Sequence, residues 1–309
     1  MGNVHVMSFS PTGGSRKAAM EVGKQIAHSA GCAVGELSLN RPDDRAAQYH
    51  FGPEDLLVLA CPVYGGRMPA LLEETMTHLA GENTPAVVLA VYGNRAYEDA
   101  LLEGVERLEK QGFVPIAAGA FVAEHTYTSA LAGGRPDESD LALARQLGEK
   151  AAEKWQKGNK TLVKVPGNHP YKERGAGASR HPKTKDSCTG CGLCASLCPM
   201  GIIDSQDPKV VGEGCLACFA CVKNCPVGAK FFEDRDWTRP RCGWRPISRS
   251  PEHRNCLWIK KDNKIPEPDG SGIFVCKDKN QSLMPDTSSI IGRRISSFMP
   301  GMSIISAGG

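Results

Sequence analysis

Val4-His5-Val6-Met7-Ser8-Phe9-Ser10-Pro11-Thr12-Gly13-Gly14-Ser15 joins a strand-like segment to a helix-like one through a glycine turn. Val4–Phe9 reads as a short strand and Ser15–Ala30 as the helix that follows. The unit recurs, and the recurrence decides the class. Ala33–Leu39 is a weaker strand. Leu56–Cys61 is an unbroken apolar run stopped by Pro62, as expected of a parallel strand buried on both faces. Leu72, Met76 and Leu79 follow at helical spacing. Ala86–Tyr92 is a second buried run, and Leu101, Val105 and Leu108 mark the next helix. Pro115–Ala123 gives a fifth strand, and Leu141, Ala144, Leu147, Ala151 and Trp155 mark a closing amphipathic helix. Five strands alternating with helices predict an α/β fold over residues 1–157, a doubly wound and mostly parallel sheet.

A different pattern governs residues 188–234. Cys188-x2-Cys191-x2-Cys194-x3-Cys198-Pro199 recurs as Cys215-x2-Cys218-x2-Cys221-x3-Cys225-Pro226, and Gly201 and Gly228 hold the same place in each copy. Two-residue gaps let a curled loop aim three thiolates at one centre, while proline discourages helix from running through the fourth. Structural zinc also uses paired Cys-x2-Cys knuckles, but a third cysteine and a trailing proline are foreign to it. The run resembles that of the two-cluster bacterial ferredoxins, in which the fourth cysteine serves the other cluster. The resemblance implies two [4Fe–4S] clusters in a small α+β domain. One would take Cys188, Cys191, Cys194 and Cys225, the other Cys215, Cys218, Cys221 and Cys198.

Three loops of the first segment lie at carboxyl ends of predicted strands, where open α/β sheets bind ligands. Ser10, Thr12, Gly13, Gly14 and Ser15 combine hydroxyls, close backbone approach and a helix N-terminus, an anion site that needs no lysine. Pro62, Val63, Tyr64, Gly65, Gly66 and Arg67 follow the third strand, and Tyr92, Gly93, Asn94 and Tyr97 the fourth. Glycines would let backbone approach a flat ring, and Tyr64 or Tyr97 would stack on it. These loops resemble those of flavodoxin, which implies the strand order 2-1-3-4-5, FMN phosphate on the first loop and isoalloxazine between the other two. The architecture is similar to flavodoxin–ferredoxin fusions, sometimes called ferrodoxins.

The net charge of +3 hides a partition. Residues 1–156 carry 13 basic against 20 acidic side chains, residues 157–187 carry 8 against 2, and residues 235–309 carry 13 against 7. The basic excess lies in an expected linker (158–187) and an expected irregular tail (235–309), not clustered with aromatics on a folded face as a nucleic-acid platform wants. The tail holds Cys242, Cys256 and Cys276 without ligand spacing, and fusions of this kind end soon after their second cluster. No stretch has the roughly 18 unbroken apolar residues of a membrane span, and Met1–Val6 lacks a signal-peptide pattern. The cytoplasm is the expected compartment, with thiols kept reduced for metal. The leading expectation is an electron carrier between redox partner proteins. A flavin-dependent reductase fed by the clusters, and an iron–sulfur sensor without flavin, remain open alternatives.

Overall fold

The computed structural model describes residues 2–175, 180–233, 254–257 and 273–278. The first segment alternates β1 (Val4–Ser8), α1 (Gly14–Ala30), β2 (Val34–Ser38), α2 (Pro42–Ala46), β3 (Tyr49–Phe51), β4 (Leu56–Pro62), α3 (Leu72–Thr77) and β5 (Leu79–Gly81). It continues with β6 (Thr84–Tyr92), α4 (Ala100–Lys110), β7 (Phe113–Val122) and α5 (Glu138–Gln156). β2, β1, β4, β6 and β7 lie side by side in that order, all parallel. Set aside the short pair β3–β5, and this is the 2-1-3-4-5 order of a flavodoxin-like sheet.

Burial explains the unbroken apolar runs. Leu57, Leu59 and Cys61 of β4 face one core with Ala86, Val88 and Ala90 of β6. Leu56, Val58 and Ala60 face the other with Val87, Leu89 and Val91. α1 and α5 cover the second face with Val22, Ile26, Leu147 and Ala151, while α3 and α4 cover the first with Leu72, Met76, Leu101 and Val105. A strand pressed between two helical layers has no polar face to show.

Leu79 is a correction. It begins β5 rather than closing a helix, because α3 ends at Thr77 and Leu79 pairs with Tyr49. Both arrangements bury leucine in the same core, so spacing alone could not separate them.

Residues 158–175 carry no helix or strand, yet they form a strap rather than a loose connection. Asn168 and Lys172 donate backbone N–H groups to Asp99, at 2.8 and 2.7 Å. His169 and Tyr171 both meet Glu106, and Arg174 meets Glu73 and Glu103. The acidic excess of the first segment and the basic excess of the strap answer each other.

The cysteine segment adds β8 (Lys183–Thr184), α6 (Leu193–Ser196), α7 (Ala220–Lys223) and β9 (Lys230–Phe231). β8 pairs antiparallel with β9, which draws part of the expected linker into the small unit. Most of the expected irregular tail lies outside the described residues. Within it, β10 (Arg254–Leu257) and β11 (Ile273–Asp278) are a departure from the expectation of no regular element. β11 runs parallel to β7, whose outer edge has backbone groups to satisfy, and Cys256 stands opposite Cys276 in the β10–β11 register.

Candidate cofactor sites

The sequence repeat is also a backbone repeat. Gly190 and Ala217, Gly192 and Phe219, and Gly201 and Gly228 are equivalent, and all six have positive φ. Gly192 starts α6 at φ 69°, and Phe219 starts α7 at φ 61°. Gly201 and Gly228 each donate a 3.1 Å hydrogen bond to the carbonyl of the fourth cysteine in their copy.

A pocket is lined by Cys198, Cys215, Cys218 and Cys221, with Ile203, Phe219 and Phe232 among its apolar walls. The four thiols come from both copies of the repeat. Burial pushes the Cys218 thiol up to about 11 and the Cys221 thiol up to about 12, with neighbouring thiols of the same four adding to each. Burial raises Cys215 as well, with Cys198 adding. In metal-free form Cys215, Cys218 and Cys221 are protonated thiols in an apolar shell. A bound metal deprotonates a coordinating thiol outright. Four sulfurs around an apolar hollow suit a sulfide-rich cube, so the donor set fits the group the repeat implies.

The remaining four are Cys188, Cys191, Cys194 and Cys225. Cys191 is exposed, Cys188 and Cys225 are half-buried, and Cys194 is buried beside Ile203 and Cys221. Burial raises Cys194, opposed by the charge of Lys230 and augmented by Cys188. Burial also pushes Cys225 up, but backbone N–H groups around Lys230, Ala229, Val227 and Gly228 outweigh it and leave its thiol low. Ala229 N–H donates to the Cys225 sulfur at 3.1 Å. Lys230 is 3% exposed, donates to Thr184 Oγ1 at 2.8 Å and to the Pro208 carbonyl, and its charge acts on both Cys194 and Cys221. Among the described residues no three His, Cys, Asp or Glu side chains close on a single metal-ion position.

At the carboxyl edge of the sheet, Ser10 is buried and its Oγ accepts the Arg16 N–H at 3.0 Å, while its own N–H donates to Asn40 Oδ1 at 2.7 Å. Asn40 is a residue that sequence reading missed; only its place just beyond β2 hinted at it. Gly13 precedes α1 at φ 88°, and a Cβ there would meet nothing within 4 Å. Thr12 and Gly13 are exposed over the start of this 17-residue helix, and Ser15 is buried behind them. The first-turn N–H groups of a helix lack partners within it, and Ser10 takes only that of Arg16. The remainder fits a phosphate.

Tyr64 and Arg67 close a turn through paired backbone hydrogen bonds of 3.0 and 3.3 Å, with Gly65 and Gly66 both at positive φ. Asp99 N–H donates to the Gly66 carbonyl at 2.9 Å, which ties this loop to the next. A Cβ on Gly66 would fall 1.7 Å from Glu98 Oε2. Gly66→Ala is therefore expected to destabilise by about 1–3 kcal/mol through a left-handed alanine, read as a lower urea midpoint. An unchanged midpoint would mean that the turn flips to another geometry.

In the third loop Asn94 is buried at φ 54°, and Gly93 packs under His125, whose Cδ2 would lie 2.7 Å from an added Cβ. Tyr92 and Tyr97 are buried in the core with ring centroids 5.6 Å apart, so neither stands open as a stacking platform. Burial pushes Tyr97 up to about 12. Tyr64 is half-buried, and its hydroxyl is raised by burial first and then by Cys218, Tyr127 and Cys61. It is close enough to Cys218 and Tyr127 for both to act on it electrostatically.

Sequence reading also missed what holds Arg67. Glu103 is fully buried and accepts from Arg67 Nε and Nη2 at 2.7 and 3.0 Å, Arg107 Nη2 at 2.8 Å, Arg174 Nη2 at 3.0 Å and the Met68 N–H at 3.1 Å. Arg67 also donates to the Lys172 carbonyl at 2.8 Å and lies 4.5 Å from the Tyr171 ring centroid. The strap thus clamps the second loop from behind.

Residues 187–229 match the family model described as the 4Fe-4S dicluster domain. No curated protein matches the chain. Among solved structures, an archaeal flavodoxin aligns over 50% of this chain and 99% of its own, at 15% identity and a TM-score of 0.35. Two-electron reduced Megasphaera elsdenii flavodoxin aligns over 48% and 98%, at 19% identity and 0.34. Rubredoxin oxygen:oxidoreductase from Desulfovibrio gigas aligns over 50% and 36%, at 12% identity and 0.38. The parallel order β2-β1-β4-β6-β7 carries the flavodoxin-like fold. The chain joins a flavodoxin-like sheet to a 4Fe-4S dicluster segment. No helix among the described residues is long and apolar enough to cross a membrane.

Proposed function

We propose that this chain is an electron-transfer protein in which two [4Fe–4S] clusters exchange single electrons with an FMN, linking one-electron to two-electron redox partner proteins. Cys188, Cys191, Cys194 and Cys225 hold one cluster, and Cys215, Cys218, Cys221 and Cys198 the other. The observation that carries this reading is the apolar pocket ringed by Cys198 of the first copy and three cysteines of the second. Thr12, Gly13, Gly14 and Ser15 receive the FMN phosphate over the start of α1, and Ser10 holds that turn closed. Pro62, Val63, Tyr64, Gly65 and Gly66 on one side, and Tyr92, Gly93, Asn94 and Tyr97 on the other, bound the ring. The glycines of these loops admit backbone contact, and the buried tyrosines shape the pocket floor. The cytoplasm suits the thiols, which must stay reduced to ligate.

Anaerobic purification tests the reading directly. The brown protein is expected to contain about eight iron atoms per chain, for two four-iron clusters, and FMN that heat or acid releases. Dithionite is expected to bleach the cluster and flavin bands. Protein that is colourless, or that carries zinc in place of iron, would overturn the cluster assignment. Iron without flavin would overturn the FMN assignment alone.

A further inference from the structure

We propose that the two cysteine sets are ordered: Cys198, Cys215, Cys218 and Cys221 form an inner site seated against the flavin loops through Tyr64, Tyr127 and Phe219, and Cys188, Cys191, Cys194 and Cys225 form the outer site facing partners. This deepens the relay reading and rests on it.

The contact is built from both sides. Leu216, between two inner cysteines, packs against the core of the sheet, as Val63 and Tyr64 do. Phe219 stacks on Phe232 at 4.4 Å and 11° between planes, and both rings line the cysteine pocket. On its other side Phe219 meets Tyr127 at 4.9 Å, and Tyr127 meets His125 at 5.4 Å. His125 in turn lies on Gly93 of the third flavin loop. Lys223 of α7 locks the arrangement, donating to Glu124 Oε1 at 2.6 Å and to the His125 carbonyl at 3.4 Å.

Phe219 supplies an independent sign. Its repeat mate is Gly192, and both sit in the left-handed region that a bulky residue avoids. Glycine would serve the turn at less cost, so the ring is kept despite strain. Strain of this kind gathers where geometry matters to function. The outer set is more open, although Cys194 is buried. Cys191 is exposed, and Leu193, next to Cys194, and Val227, two residues after Cys225, are 39% and 45% exposed. The exposed Cys191 leaves this set open to the approach of a partner protein.

With both groups bound, the inner cysteines would hold the cluster nearer the flavin loops and the outer cysteines the cluster nearer solvent, so single electrons would pass between a partner and the flavin through both. No bond is made or broken in the protein.

The test reads proximity, not turnover. The full chain, labelled with 13C in its tyrosine rings, contains six tyrosines, and Tyr→Phe variants assign them. Reduction of the clusters by dithionite is expected to broaden and shift Tyr64 and Tyr127 far more than Tyr171, which is held on α4 by Glu106. Fully reduced flavin has no unpaired electron, so it adds nothing. Equal effects on the three rings would overturn the order, whether or not flavin is bound. In protein that retains its iron and FMN, Lys223→Glu is expected to slow cluster-to-flavin transfer several-fold after flash reduction, and adding Glu124→Lys to restore it. Unchanged rates in the single variant would also overturn the proposal, while absence of FMN would overturn only the reading beneath it.

Discussion

Glu103→Gln will lower the folding stability of the chain by about 3–5 kcal/mol, the usual cost of removing one partner from a buried ion pair. The carboxylate is fully buried, and Arg67, Arg107 and Arg174 converge on it. Glutamine keeps the shape and one acceptor but leaves the guanidinium groups without their counter-charge. Arg67 has the least recourse to solvent, at 8% exposed. Burial pushes the Glu103 carboxyl up, but hydrogen bonds from Arg67, Arg107 and the Met68 N–H pull it further down. Its net shift is below the ordinary carboxylate value. The stabilisation is therefore present above the unfolded carboxylate pKa and is lost as pH falls through the folded one. Urea unfolding at neutral pH should show the full difference between wild type and variant, and the gap should close in acid. A difference under about 1 kcal/mol, the range of exposed pairs, would show that the three arginines find other partners.

Because Arg67 belongs to the second loop, the same substitution has a local consequence. Freed from Glu103, Arg67 no longer fixes the Tyr64–Arg67 turn, and Tyr64 loses its set position toward Cys218.

The parts that sequence made legible are those where chemistry or burial leaves little choice. The Cys-x2-Cys-x2-Cys-x3-Cys-Pro repeat is legible without any knowledge of packing, and the segment that holds it matches the 4Fe-4S dicluster model. β4 and β6 were readable because burial on both faces removes polar residues altogether. α2, β3 and β5 were not, since a five-residue helix and three-residue strands are too short for a period. The strap was invisible for another reason. Its hold on Asp99, Glu103 and Glu106 is a set of long-range ion pairs and backbone bonds, and no local pattern encodes them. Only the charge partition, acidic in the first segment and basic in the strap, pointed toward it. Tyr64 and Tyr97 looked alike as loop tyrosines. They differ because Tyr97 turns into the core whereas Tyr64 turns toward a segment about 150 residues onward, and such pairings exist only once the chain has folded.

Removing iron with a chelator under reducing conditions will abolish the order of residues 183–233 while leaving the flavodoxin-like sheet folded. The asymmetry follows from what each part buries. The sheet is held by two large apolar clusters, with Phe9, Phe121, Ile26 and Leu57 among side chains fully withdrawn from water. The cysteine segment has one small cluster of its own, Cys194, Ile203 and Cys221, beside two helices of four residues each. A unit of that size rarely folds without a metal or a disulfide to staple it. Its hollow is lined by the proposed ligands, so emptying it would remove the material around which Ile203, Phe219 and Phe232 pack. Lys230, 3% exposed and acting on both Cys194 and Cys221, then has thiols beside it in place of the thiolates that metal binding creates. Hydrogen exchange should show amide protection in β1, β4 and β6 unchanged, and that in α6, α7 and β9 lost within the dead time. If the chelated protein keeps protection at Cys221–Lys223, packing against Tyr64 and Tyr127 must suffice to fold the segment, and the clusters would be passengers in a preformed frame.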